Sequence, residues 1–287
     1  MPILSTHHVK QRQPRHRGRW VVILLLVVIG VMAFYSWRVT RLLSADVWDF
    51  RPPEMVAAQY SAKDVIGDLG GMPVKISRHI AEYVEYDGDP GFSGPPRQGP
   101  PPERTYASRL KSFGFDVRFP DMAMITSIEM WADKESYTIR NTPWMNVSVR
   151  SGENFPGRGF MNRLDVMKPQ RKSDYWRYKY EEIPVKKFGL TEYRVSGIHP
   201  QTGKPARDHR DAAIVYIHRD RAGKVLTRID CSNVPHEAAP CTQEWSMETQ
   251  NIDAVIQVHY RRGFVRNWSD IQQYVSRTIL NFYIDST

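Results

Sequence analysis

An uninterrupted apolar stretch near the N-terminus constrains this chain more than any other feature. Residues 20–37 carry no formal charge, consist mainly of Val, Ile and Leu, and have a tryptophan at each end. As an α-helix the stretch would be about 27 Å long, close to the roughly 30 Å of hydrocarbon in a bilayer. The amphipathic rings of Trp20 and Trp37 would then lie at the headgroup level. We therefore predict a single transmembrane helix over residues 20–37.

The charges beside this stretch predict its direction. Basic residues are concentrated in the arm 1–19, whereas only Arg38 and Arg41 follow the stretch closely. The positive-inside bias favours a cytoplasmic arm and an exported C-terminal body. The alternative is a cleaved signal peptide, but the apolar run is long for one and no small-residue cleavage site follows it. We expect a single-pass protein of the bacterial inner membrane, with its C-terminal domain in the periplasm.

The net charge belongs mainly to the flanks of the predicted helix. The formal net charge is +9 and the isoelectric point is about 9.5, values that alone would suggest nucleic-acid binding. The body that follows is nearly neutral, and cations next to a membrane helix favour anionic lipid headgroups. Nucleic acid is therefore not an expected partner.

The two cysteines agree with export. Cys231 and Cys241 are the only cysteines, and the segment between them is polar and rich in turn residues. In an oxidising compartment the pair should form a disulfide, worth about 2–3 kcal/mol on a chain-entropy estimate. Two unrelated thiols are the alternative in a reducing compartment. His236 lies between the cysteines, but one His and two Cys match no common zinc pattern.

The exported part is predicted to have a linker and one folded domain. Residues 38–73, broken by Pro52 and Pro53, should be a juxtamembrane linker, and residues 74–287 a periplasmic domain. The pattern 74–86 fits a strand or a helix. Alternation and β-branched residues predict strands over 113–119, 145–149, 212–218, 225–229, 241–247 and 254–260.

A helix is predicted at the C-terminus. Asn267 is a candidate N-cap, and apolar residues then recur at helical spacing: Trp268, Ile271, Val275, Ile279 and Phe282. Strands in runs with a helix set apart indicate an α+β fold. We expect a largely antiparallel sheet packed by this C-terminal amphipathic helix.

Two loops are candidate binding segments. Residues 87–102 are so rich in proline and glycine that they exclude a central strand or a helix. Long loops in compact domains are usually functional or disordered, so a plain solvated loop remains the alternative. The second loop, 151–159, lies on the same rim or the opposite one. The candidate partner-binding residues in and beside these loops are Asp87, Asp89, Phe92, Arg97, Arg104 and Arg158.

A segment of interleaved aromatic and basic residues is a third candidate. Residues 168–182 contain Tyr175 and Trp176 among Arg and Lys, and Tyr, Trp and Arg dominate interface hot spots. These two aromatic residues are therefore further partner-binding candidates. The alternative is an exposed edge whose aromatic rings face the core.

No catalytic, metal or cofactor motif is recognisable. The sequence around Ser93 is one residue short of a G-x-S-x-G elbow and lies in a proline-rich loop. Asp87 and Asp89 begin like a calcium loop, but Gln98 occupies the position that needs a Glu. The histidines show no metal-ligand spacing. We expect no enzymatic activity, no metal and no cofactor.

Several segments carry a resemblance to a known family. They are SRHIAEYVEYDGDPGF, SFGFDVRFPDM, NTPWMNVSV, GFMNRL and CSNVPHEAAPC. The chain resembles an uncharacterised bacterial family of single-span, periplasm-facing proteins associated with genes for type VI secretion lipase effectors. The likeness extends from about Lys75 to the final helix. It implies an immunity role, in which the protein binds an incoming lipase and blocks it, but it identifies no functional residue.

Two other functions stay open. One is an envelope scaffold or secretion-apparatus accessory protein without enzymatic activity. The other is an exported hydrolase, which would need a nucleophile and base brought together only by the fold.

Overall fold

The structure is a computed structural model of the chain. It describes residues 30–33, 63–91, 98–166, 179–209 and 211–285. The chain divides into two compact units, 1–52 and 53–287. Of the first unit, and of the predicted transmembrane helix, only residues 30–33 are described, and they are helical. No helix in the described ranges is long and apolar enough to cross a membrane.

The second unit begins with a small separate hairpin. Strands β1 (Val65–Leu69) and β2 (Met72–Ile76) pair antiparallel, and β1 lies inside the segment 38–73 that was predicted as a linker. Gly70 turns the chain with φ of 57°, and a Cβ there would lie 2.5 Å from the carbonyl oxygen of Asp253. Only glycine fits this combination of positive φ and close backbone approach.

Ten strands form the main sheet, in which every described pairing is antiparallel. Its order is β3-β4-β6-β12-β11-β10-β9-β8-β7, with β5 also paired to β4. The strands are β3 (Glu82–Tyr86), β4 (Leu110–Arg118), β5 (Ala123–Met124), β6 (Trp144–Arg150), β7 (Lys179–Lys187), β8 (Leu190–Ser196), β9 (Ala213–Arg219), β10 (Val225–Ser232), β11 (Pro240–Ser246) and β12 (Val255–Arg261). The strands predicted from alternation are confirmed.

One face of this sheet carries the main core. Phe113, Phe115 and Val117 alternate along β4 and are buried, because successive side chains of a strand point to opposite faces. The C-terminal helix α3 (Trp268–Leu280) packs on this face. All five residues of its predicted apolar stripe are buried. The prediction of a largely antiparallel sheet with a C-terminal packing helix is confirmed.

The opposite face is more polar and is partly covered by two short helices. Helix α1 (Ile128–Ser136) connects β5 to β6, and Lys134 on it pairs with Asp116 of β4. Helix α2 (Phe160–Arg163) covers another part of the same face, where Met161 and Val215 belong to a smaller apolar cluster. Half-buried polar side chains on this face include Arg150 and Gln257, which both donate to Glu244.

The ambiguous segment 74–86 is not a helix. Strand β2 ends at Ile76, a turn follows, and β3 begins at Glu82. Ile76 and Ala81 are fully buried in the main core, so tertiary packing decides against the helical alternative. Tyr83, within β3, has a φ of 50°, which no regular helix adopts, and the pairing of β3 with β4 shifts register between Glu82 and Glu85.

Candidate protein-binding surfaces

The disulfide closes one end of the sheet. Cys231 on β10 and Cys241 on β11 are direct cross-strand partners, and their sulfur atoms are bonded. Both residues are buried. The predicted disulfide is confirmed, and it ties together two neighbouring strands and the turn-rich loop between them.

The two predicted binding loops meet at the other end of the sheet. Asp87 accepts a 2.8 Å hydrogen bond from the backbone N–H of Glu153, and its second oxygen lies 3.3 Å from Arg109 Nε. The loops after β3 and after β6 are therefore on the same rim. The described parts of 87–109, 151–159 and 247–254 are called the loop rim below.

Three of the predicted partner-binding residues are engaged within the loop rim itself. Arg104 donates to Asp89 at 2.5 Å, and its guanidinium lies 4.1 Å above the ring of Tyr86. Asp89 also accepts from the backbone N–H of Tyr86. The side chains of Asp87, Asp89 and Arg104 are at most 22% exposed. They hold the loop in shape, and partner binding by them stays a prediction.

Arg158 is more accessible. Its side chain is 60% exposed and donates to Asp253 at 2.9 Å. The carboxylate of Glu248 accepts from the backbone N–H of Gly159 and fixes the loop next to it. The guanidinium is thus positioned at the surface of the loop rim. Phe92, Arg97, Tyr175 and Trp176 lie outside the described residues.

A cleft that the sequence does not predict runs beside α3. Its volume is about 460 Å³, within the roughly 300–1,000 Å³ of ligand sites. Gln272, Ser276 and Arg277 line it together with apolar parts of Trp268 and Leu280. The apolar stripe predicted from the sequence identified only the buried side of α3. Nothing in the sequence indicated that the polar residues between the stripe positions would line a cleft together.

A buried polar network lies directly beneath this cleft. Gln243 donates its amide to the carbonyl oxygen of Trp268 and to the side-chain oxygen of Gln272. Thr227 donates to the same Gln272 oxygen at 2.8 Å, and Tyr260 donates to Gln243 at 2.7 Å. Burial raises the pKa of Tyr260, so its hydroxyl stays protonated as a donor. The network fixes the orientation of each amide.

A second, smaller cleft lies on the polar face of the sheet. It has a volume of about 340 Å³ and is lined by the Asp116–Lys134 pair, Asn146, His259 and Ile139. Ile139 is 82% exposed at this site. The lining thus combines an ion pair with an exposed apolar side chain.

Two ring contacts involve described histidines. His199 and His209 stack with ring centroids 4.3 Å apart, and His218 contacts Trp268. In the described part of the chain, no group of three or more His, Cys, Asp or Glu residues is placed to hold a metal ion.

Comparison with known proteins gives a likeness in fold. No protein-family model matches the chain, and no curated protein matches it in sequence. Smlt3025, an immunity protein of the Stenotrophomonas maltophilia type IV secretion system, has a similar structure with a TM-score of 0.51 and 16% identity. The match covers 79% of this chain and 95% of that one.

A second solved structure matches less well. It is the iron-regulated outer membrane lipoprotein FrpD of Neisseria meningitidis, with a TM-score of 0.38 and 10% identity over 77% of this chain and 93% of that chain. The first likeness shows that the overall fold is found in another protein. The second is too distant to add to this.

Proposed function

We propose that this chain is a membrane-anchored periplasmic binding protein that acts as an immunity protein against a toxin delivered by a secretion system. The observation that carries the proposal is the fold it shares, over nearly the whole length of the neighbour, with an immunity protein. The sequence resemblance to a family associated with lipase effectors supports the same role from an independent direction.

The nature of the toxin is the finer part of the proposal. The sequence resemblance indicates a type VI secretion phospholipase or lipase, whereas the structural neighbour belongs to a type IV system. The family that the sequence resembles and the structural neighbour have the immunity role in common. We infer a lipase target, because a membrane anchor would keep an inhibitor close to the lipid under attack and raise its effective concentration there.

The described surfaces are compatible with inhibition by binding. The loop rim carries an accessible Arg158 held by Asp253, and the clefts combine polar and apolar side chains. Interfaces with these features gain affinity from a few anchors rather than from total area. Inhibition would require only that such a surface cover the active site of the toxin.

The test is inhibition of a purified secreted lipase of the same organism by the full-length protein in detergent. We expect phospholipid hydrolysis to stop at a one-to-one ratio and a stable complex to form. As a control, an unrelated lipase should keep its activity in the same detergent and protein concentration. Undiminished hydrolysis by every secreted lipase of the organism would contradict the lipase target, and failure to bind any secreted toxin of the organism would contradict the immunity role.

An envelope scaffold is the second candidate function, favoured by the predicted helix 20–37 and the basic arm 1–19. A scaffold should lose its function when the helix is replaced by a cleavable signal peptide. An inhibitor released into the periplasm should still protect the cell from the toxin. Recovery of envelope components alone in a crosslinking experiment would favour the scaffold.

A further inference from the structure

In the cleft beside α3, hydrogen-bond donors can be told from acceptors, because two of the groups bonded to its side chains can act in only one way. The carbonyl oxygen of Trp268 can only accept a hydrogen bond, so the side-chain nitrogen of Gln243 must face it at 3.1 Å. The same nitrogen lies 3.1 Å from the side chain of Gln272. The atom of Gln272 that faces it is therefore the amide oxygen.

Gln272 consequently presents only donors to the cleft. Its amide oxygen has two lone pairs, and both are used, one by Gln243 and one by Thr227. What remains of its hydrogen-bonding capacity is the NH₂ group, and Gln272 lines the cleft. The orientation of this amide is thus set by the core and not by solvent.

The hydroxyl of Ser276 is likewise left as a donor. The indole N–H of Trp245 can only donate, and it donates to Ser276 Oγ at 3.0 Å. The hydroxyl of Ser276 therefore has its own O–H left to donate. Arg277, one residue further along α3 and exposed, adds a guanidinium, which has five donors and no acceptor.

No acidic side chain balances these donors within the cleft. None of the described residues that line it is Asp or Glu. Leu226, Leu280 and Trp268 add apolar surface around the donors, and Leu280 is 38% exposed. The cleft thus combines one arginine cation, two oriented neutral donors and apolar surface. Its lining is completed by the neutral side chains of His218, Gln250, Ser269 and Gln273, which can donate as well as accept.

We propose that the cleft formed by Gln272, Ser276 and Arg277 binds the carboxylate of an Asp or Glu side chain on a protein partner. A carboxylate accepts hydrogen bonds only, matches the planar fork of arginine, and has a short aliphatic stem that fits beside Leu280 and Trp268. Its single negative charge balances the one cation, whereas a phosphate would have a larger charge. The proposal deepens the inhibitor function and rests on it for the identity of the partner.

The test uses small probes and needs no toxin. Full-length protein in detergent micelles is labelled with ¹⁵N-glutamine and titrated with N-acetylglutamate N-methylamide, with the matching glutamine compound, and with inorganic phosphate. The side-chain amide signal of Gln272 is identified by its absence from the Gln272→Glu variant. We expect this signal to shift saturably with the glutamate probe and to stay in place with the neutral glutamine probe.

Two substitutions in the cleft and one control substitution sharpen this experiment. Arg277→Gln should weaken binding of the glutamate probe by about ten-fold or more, because it removes a charge-assisted hydrogen bond. The control Arg140→Gln changes an exposed arginine in another loop and should leave binding unchanged. Gln272→Glu keeps the acceptor oxygen for Thr227 and Gln243 but turns a negative group towards the cleft. The shifts of other cleft-lining amides, such as Gln273, should then disappear.

Any of four results would overturn the proposal. These are the absence of a saturable shift with the glutamate probe, an equal response to the neutral probe, unchanged binding in Arg277→Gln, or saturation by phosphate at a lower concentration than by the glutamate probe. A failed titration leaves lipase inhibition untouched as a separate result. Failure of lipase inhibition would, conversely, leave a measured carboxylate site in place.

Discussion

At the scale of single residues, polar side chains buried under α3 determine how the core is organised. Gln243 is fully buried, and its amide has hydrogen bonds to Trp268, Gln272 and Tyr260. Such a network specifies one arrangement of the core only if every member is satisfied. Removing a single partner leaves a buried polar atom without a hydrogen bond, and that costs more than the bond itself contributes.

Tyr260→Phe tests this network. The substitution removes the hydroxyl that donates to Gln243 at 2.7 Å and leaves the buried amide oxygen without a donor. We expect the free energy of unfolding to fall by about 1–3 kcal/mol, measured by urea denaturation. Tyr283→Phe is the matched control, because Tyr283 is 52% exposed, and its effect should be close to zero. Equal stability of the two variants would contradict the role of the network.

Glu244 tests the electrostatics of the polar sheet face. Burial raises the pKa of its carboxyl, although Arg150 donates to it at 2.5 Å. The folded state therefore binds the proton of Glu244 more tightly than the unfolded state does. The contribution of this proton to the free energy of unfolding is complete below the ordinary pKa of 4.5 and is lost as pH rises through the higher pKa of the folded state. Glu244→Gln cannot titrate. Unfolding curves between about pH 4 and pH 7 should show the unmodified protein losing stability relative to the variant. The same pH dependence of stability in the unmodified protein and in Glu244→Gln would contradict the raised pKa of Glu244.

At the scale of elements, α3 has two sides with different tasks. One side buries Ile271, Val275 and Ile279 against the sheet. The other lines the cleft with Gln273, Ser276 and Arg277. The chemistry of the cleft can therefore be changed separately from the stability of the fold at the exposed positions Gln273 and Arg277. Gln272 and Ser276 serve both, because they accept hydrogen bonds from buried side chains.

Ile271→Ala and Gln273→Ala separate these two sides. Ile271 is fully buried, so its truncation leaves a cavity and should cost about 2–5 kcal/mol. Gln273 is exposed, and its replacement should change the unfolding free energy by no more than about 0.5 kcal/mol. Denaturant unfolding of both variants checks the expectation. Similar losses in the two would show that α3 does not pack through its predicted stripe.

At the scale of the whole molecule, the disulfide joins strands near the middle of a ten-stranded sheet. Its loop is short, since ten positions separate the two cysteines. In an antiparallel sheet of this size many contacts are distant in sequence, so a link that restricts the unfolded chain favours the folded state.

Reduction of this disulfide should lower the free energy of unfolding by about 2–3 kcal/mol. The measurement is guanidinium denaturation with and without reductant. A variant with Cys231→Ala and Cys241→Ala is the control, because reductant should leave its midpoint unchanged. If reductant had no effect on the unmodified protein, the covalent link would add nothing to stability.

The sequence by itself determined strands β4, β6 and β9 to β12, the packing helix and the disulfide, because each depends on local alternation, helical spacing or the mere presence of two cysteines. It did not predict β5, β7 or β8. It did not determine the hairpin of β1 and β2, whose Gly70 meets Asp253 far along the chain. The tertiary structure alone showed that Asp87, Asp89 and Arg104 support the loop rim from within. It alone revealed the donor cleft, where the bonds that orient Gln272 and Ser276 join residues 29 and 31 positions apart. Such pairings follow from strand register and helix docking, which no local pattern encodes.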